Sequence, residues 1–192
     1  ATEDMLGMVG AGLDETSDTS WKDSVKMRLP WLALNLLTSA GSAFVVYLFE
    51  GSISTMATLA VLMPMVANQA GNTGHQALAV MIRQLATESF DQKRAWSAVV
   101  REGKIGMTTG LFMALIAVCG VLLLTKDSRL GIVMGCALLS DMLLGALAGG
   151  AIPLFFRAVG RDPAQASSIF LTAITDSCGF FIFLGLATLF LL

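Results

Sequence analysis

Ser168, Thr172 and Asp176 stand four residues apart, so on a helix their side-chain oxygens share one face, with Thr175 and Gly179 close beside it. Two hydroxyls followed by a carboxylate make a row that can hold water or a cation. The surroundings make the row conspicuous: residues 163–192 form a 30-residue stretch in which Asp176 is the only charged residue. At hydrocarbon depth a carboxylate costs about 2.5 kcal/mol or more unless water, a cation or a polar partner meets it. A structural carboxylate, paired or protonated, is the alternative, but no basic residue lies in mid-stretch to neutralise it.

A second oxygen-rich set runs from Pro64 through Asn68, Gln69, Gly71, Asn72, Thr73, Gly74, His75 and Gln76. Amide oxygens are ligands that hard cations accept, and amides also join helices by hydrogen bonds. Both readings stand on residue type alone. Pro64 cannot donate to the carbonyl four residues back, and Gly71 and Gly74 lower the cost of irregular backbone, so a distorted helix is expected here. Asp141, beside Ser140, is a second acid in apolar sequence and suits either a conduction path or a polar helix contact. Glu50 either gathers cations at an entrance or is an ordinary interfacial carboxylate. His75 is the only histidine; with no serine motif or metal-ligand cluster around it, it reads as a packing or hydrogen-bonding residue and gives an intramembrane enzyme little support.

These residues need elements that hold them inside a membrane, and the composition supplies them. The 192 residues are 55% apolar and 14% charged, with mean hydropathy +0.75, against roughly 25% charged in ordinary globular chains. About 20 mainly apolar residues cross the roughly 30 Å hydrocarbon layer as a helix. Five such spans are expected, at 29–50, 55–85, 104–125, 130–157 and 164–192, and the alternating pattern of a barrel strand is absent. The fold class expected is therefore all-α integral membrane, with residues 21–192 as the membrane domain.

Five true spans with the N-terminus inside place Lys22, Lys26, Arg28, Arg83, Lys93, Arg94, Arg101, Lys104, Arg157 and Arg161 on the inner side, ten residues, against Lys126 and Arg129 outside. Making the second span a re-entrant hairpin leaves only five inside, against the positive-inside tendency. The expectation is a multi-pass protein of the inner membrane, N-terminus cytoplasmic and C-terminus outside.

Residues 1–20 are acidic and lack a basic-then-apolar signal sequence, which fits the tail of an excised upstream region. Around 90–101, Phe90, Trp96, Val99 and Val100 mix with Lys93, Arg94 and Arg101, as in a helix lying on the inner surface or a solvated loop. Cys119, Cys136 and Cys178 form no CxxC spacing and read as small packing residues. Gly106 and Gly110, Gly131 and Gly135, and Gly145 and Gly149 have the spacing that lets helix backbones approach closely. Basic residues follow topology and net charge is only −2, so no nucleic-acid partner is expected.

Taken together, Phe49-Glu50-Gly51, Pro64, Gly71 to Gln76 and Arg83 resemble the second-helix signature of the MgtE magnesium channel family. Asp162-Pro163-Ala164, Ser167, Thr172, Thr175-Asp176 and Gly179 are similar to its last helix, and Arg28 to Leu32 to its entry into the first. The resemblance implies a homodimer of five-helix protomers with a pore on the two-fold axis. It makes Asp176 the central ion-binding residue and Asn72 the signature asparagine, and places Ser168 and Thr172 on turns lining the same pore. It also implies an upstream regulatory part with paired CBS domains, residues 1–20 being the remnant of the linking helix. One departure is Ala70, where the family commonly has glycine.

The implied cargo is Mg2+, with Mn2+, Co2+ and Ni2+ not separable by oxygen donors alone. Mg2+ sheds its waters reluctantly, so Asp176 is expected to grip a hydrated ion through water. In a closed dimer a residue beside the axis faces its own copy, giving two carboxylates for one ion. The expected function is passive influx of Mg2+. An inside-negative potential of 100 mV contributes about 4.6 kcal/mol to a divalent ion crossing the whole field. The alternative is a proton- or sodium-coupled secondary transporter using Asp176 or Asp141, since such proteins also place broken helices at the midplane.

Overall fold

The structure, a computed structural model, describes residues 7–8, 15–87, 92–164 and 167–192. From Trp21 onward the described residues are almost entirely helical: α1 (Trp21–Leu48), α2 (Glu50–Thr55), α3 (Thr58–Thr87), α4 (Gln92–Thr125), α5 (Ser128–Ala158) and α6 (Ser167–Phe190). Most of the acidic N-terminal stretch, and Phe90, lie outside the described residues.

Local chemistry sets several ends. Ser20 Oγ accepts from the Asp23 backbone N–H and caps α1. Asp127 Oδ1 accepts from the N–H groups of Arg129 and Leu130 at 2.9 and 3.1 Å, satisfying donors that the first turn of α5 leaves free. At the other end of α5, Gly160 takes φ +70° and the Arg161 N–H reaches the Phe156 carbonyl at 2.9 Å, a Schellman-type stop that favours glycine.

Among the described residues four helices, α1, most of α4, α5 and α6, are long and apolar enough to cross a membrane by length and composition. α3 has 30 residues but carries the amide run in its middle and is not among them. Around the residues expected to distort it, α3 stays continuous, running as one helix through Pro64, Gly71 and Gly74. Side chains supplement its backbone, since Thr73 Oγ1 donates to the Gln69 carbonyl at 2.9 Å.

The region around 92–101 corrects the sequence reading. It is neither a loop nor a separate surface helix but the first turns of α4, whose 34 residues extend about 51 Å at 1.5 Å per residue, well beyond the hydrocarbon layer. Val99 is buried there while Trp96 is exposed.

α5 is the centre of the bundle, packed against α3, α4 and α6, while α1 lies on α6. Between lipid-embedded helices close packing takes over from the hydrophobic effect, and small residues permit it. A Cβ added at Gly145 would fall 2.5 Å from the Ala70 carbonyl oxygen, and one at Gly149 would overlap the Gly74 carbonyl. The α3 and α5 backbones therefore touch. Gly106 and Gly110 face Ala146, Met142 and Leu139 of α5, and Gly131 and Gly135 face Val118 of α4. Around this seam Leu59, Val66, Met134, Leu138, Phe183 and Leu184 form the main apolar core.

Candidate cation site

The polar positions fall into three environments. On α6, Ser168, Thr172 and Asp176 are each half-buried, whereas Thr175 is fully buried. Thr175 Oγ1 donates within its own helix, to the Leu171 and Thr172 carbonyls at 3.1 and 3.2 Å. The expected oxygen row thus opens on one side of α6, and Thr175 turns inward from it.

On α3, Asn68, Asn72 and Gln76 are exposed on the protomer surface while Thr73 and Gly74 face the interior. At 100° per residue Asn68 and Asn72 stand within about 60° of His75 around the helix. His75 joins the two rows. Its Nδ1 lies 2.7 Å from the Gly71 carbonyl oxygen and its Nε2 lies 2.7 Å from Ser168 Oγ. A carbonyl only accepts, so Nδ1 carries the proton and donates, and Nε2 accepts from the Ser168 hydroxyl. The amide row of α3 and the oxygen row of α6 therefore border one seam.

Asp141 occupies the third environment. It is fully buried, and among the described residues neither carboxylate oxygen has a hydrogen-bond partner. The carboxylate rests against Gly179 of α6, where any Cβ would overlap Oδ2. Glu50 begins α2 and is exposed, apart from the α3 and α6 rows in sequence and on a different helix. Two of the cysteines expected to pack, Cys119 and Cys136, are exposed on the protomer and Cys178 is half-buried; all three are free.

Sequence reading did not identify two contacts. The His75 to Ser168 bond crosses between helices, and only its local half, histidine four residues after Gly71, had a signal in the sequence. Glu102 is the other: it is 5% exposed and pairs with Arg101 at 2.6 Å, a burial that follows from the unforeseen extension of α4. Among the described residues of one protomer no three His, Cys, Asp or Glu side chains come together as a metal site. A cation held by Asp176 would need water, neutral oxygens or a second copy of the chain.

Residues 63–186 match the MgtE family, described as a divalent cation transporter. The matched region takes in α5, nearly all of α3 and α6, and the seam between them. The chain belongs to the MgtE family. It is 31% identical over 191 residues to the magnesium transporter MgtE of Bacillus subtilis, covering 100% of this chain and 42% of that protein. The MgtE of Enterococcus faecalis gives the same identity and coverage. That of Thermus thermophilus is 30% identical over 165 residues, 85% of this chain and 36% of the relative. This MgtE-family chain thus spans less than half the length of the curated relatives it matches.

Proposed function

We propose that the chain forms the membrane pore of a homodimeric magnesium channel, with Asp176 of both protomers at the central ion site. The observation carrying this reading is the half-open row Ser168, Thr172 and Asp176 on an otherwise apolar helix. A carboxylate at membrane depth is not left to lipid. The row opens outward from the protomer, and a second copy related by a two-fold axis would cover it while bringing two carboxylates to one divalent ion.

In this arrangement all five long helices span, α3 being tolerated in spite of its amides because its polar side lines water. The N-terminus is then cytoplasmic and the C-terminus outside the inner membrane. Asn72 and Thr172 supply neutral oxygens to the ion's water shell, and the carboxylates attract it from a distance without stripping that shell. The names of the relatives, all magnesium transporters, support Mg2+ as the cargo. Glu50 would act at the outer mouth. The regulatory CBS domains implied by the family resemblance would lie upstream in the longer protein.

The channel and exchanger readings part on driving force. In proteoliposomes with an imposed inside-negative potential, Mg2+ uptake should continue when a protonophore abolishes the proton gradient and sodium is absent. Uptake that ceases under those conditions would favour coupled transport instead.

A further inference from the structure

We propose that His75 and Ser168 form a binding site for borderline divalent metals such as Ni2+ at one end of the oxygen row, rendering the channel sensitive to them. Three observations converge on it. First, the imidazole is held in one tautomer: Nδ1 donates to the Gly71 carbonyl at 2.7 Å, which leaves the Nε2 lone pair directed at α6. Metal-ligating histidines are oriented in this manner, the second nitrogen donating to a carbonyl or carboxylate.

Second, the group that Nε2 meets is itself a donor oxygen, Ser168 Oγ at 2.7 Å. Rotation of the hydroxyl proton away from Nε2 exposes nitrogen and oxygen together, with no proton lost. Third, both residues are half-buried, and on α3 the imidazole shares a face with the exposed amides Asn68 and Asn72, so the pair lies at the open side of the seam and is not sealed in the core.

Imidazole suits Ni2+, Cu2+ and Zn2+, whereas Mg2+ prefers oxygen. One nitrogen and one hydroxyl make a weak site in a single protomer. This inference rests on the dimeric pore proposed above, in which the partner copy contributes a second imidazole and a second hydroxyl. A site of two nitrogens in the path of Mg2+ would retain Ni2+ longer than Mg2+, and Ni2+ would then block flux.

His75 is the only histidine in the chain, so tag-free protein offers a single-residue chemical readout. Wild-type protein is treated with diethylpyrocarbonate, and the rise in absorbance of the modified imidazole is followed with NiCl2, with MgCl2 at equal concentration, or with neither. Ni2+ is expected to slow modification and Mg2+ to leave it nearly unchanged; equal rates in all three would overturn the site. In proteoliposomes, half-inhibition of each protein's own Mg2+ flux should require at least about tenfold more Ni2+ in H75N than in wild type, the usual scale for losing a metal contact. H75Q provides a second variant if H75N does not fold. Unchanged Ni2+ sensitivity in a folded variant would overturn the inference. Protection of His75 by Ni2+ in a protein that passes no Mg2+ would overturn the pore reading while upholding the metal site; Mg2+ flux without protection would do the reverse.

Discussion

Asp176 and Asp141 are both carboxylates in helices long and apolar enough to cross a membrane, yet their surroundings differ in kind. Asp176 is half-open and continues a row of hydroxyls. Asp141 is fully buried in the helix on which the bundle is built, both oxygens without a hydrogen-bond partner among the described residues and one side pressed to Gly179. The difference follows from helix phase. α6 has neighbours on its Thr175 and Gly179 side and is open along Ser168, Thr172 and Asp176, whereas α5 is surrounded by α3, α4 and α6. Only the half-open acid can meet a hydrated ion without rearrangement of the protomer. In the proposed pore the buried acid would act on the ion only indirectly, through the α5 and α6 contact at Gly179.

This contrast is most severely strained by Asp176→Ala. Mg2+ flux in liposomes is expected to fall by at least about tenfold, as loss of a transition-state or site interaction worth 1.4 kcal/mol or more would produce, while the dimer persists on size-exclusion chromatography. Equal flux in the variant would remove Asp176 from the pore.

Next in size are the glycines that set the contrast geometrically. Gly149→Ala places a Cβ on the Gly74 carbonyl, and backbone cannot swing aside, so a loss of about 1–3 kcal/mol is expected, read as lower thermal stability in detergent. In Gly179→Ala the atoms nearest the new Cβ belong to the end of the Asp141 side chain. This substitution should destabilise less than Gly149→Ala and reduce flux by displacing Asp141. A larger loss of stability for Gly179→Ala would mean that Asp141 is more rigidly held than its missing hydrogen bonds suggest.

The smallest effect is expected from Asp141→Asn. Among the described residues no hydrogen bond to Asp141 is broken by it, and in the proposed pore the ion would meet Asp176 rather than Asp141, so flux should stay within about threefold of wild type, less than 0.7 kcal/mol. If Asp141→Asn abolishes flux as completely as Asp176→Ala, the two acids share one function and the coupled-transport reading gains ground.

The residue types and spacings made the all-helical fold and the oxygen row of α6 legible, because apolar runs mark helices and a four-residue repeat marks a face. They did not reveal that α4 begins at Gln92, since Lys93, Arg94 and Arg101 read as an interfacial boundary when they are turns of one helix extending past the hydrocarbon. Pro64, Gly71 and Gly74 suggested irregular backbone in α3, but no local pattern showed that Gly74 provides close approach to α5. The separation of Asp141 from Asp176 was also hidden, because burial depends on which helices surround α5 and no local pattern records that. The His75 bond to Ser168 spans 93 positions in sequence and needed the fold to be seen.

The most direct measurement is a structure of the dimer in a lipid nanodisc with and without Mg2+. Mg2+-dependent density is expected on the two-fold axis, between the two copies of Asp176 and separated from their carboxylates by the ion's own waters. A dimer whose axis runs beside another helix, or an ion held elsewhere with Asp176 facing lipid or sealed against protein, would contradict it.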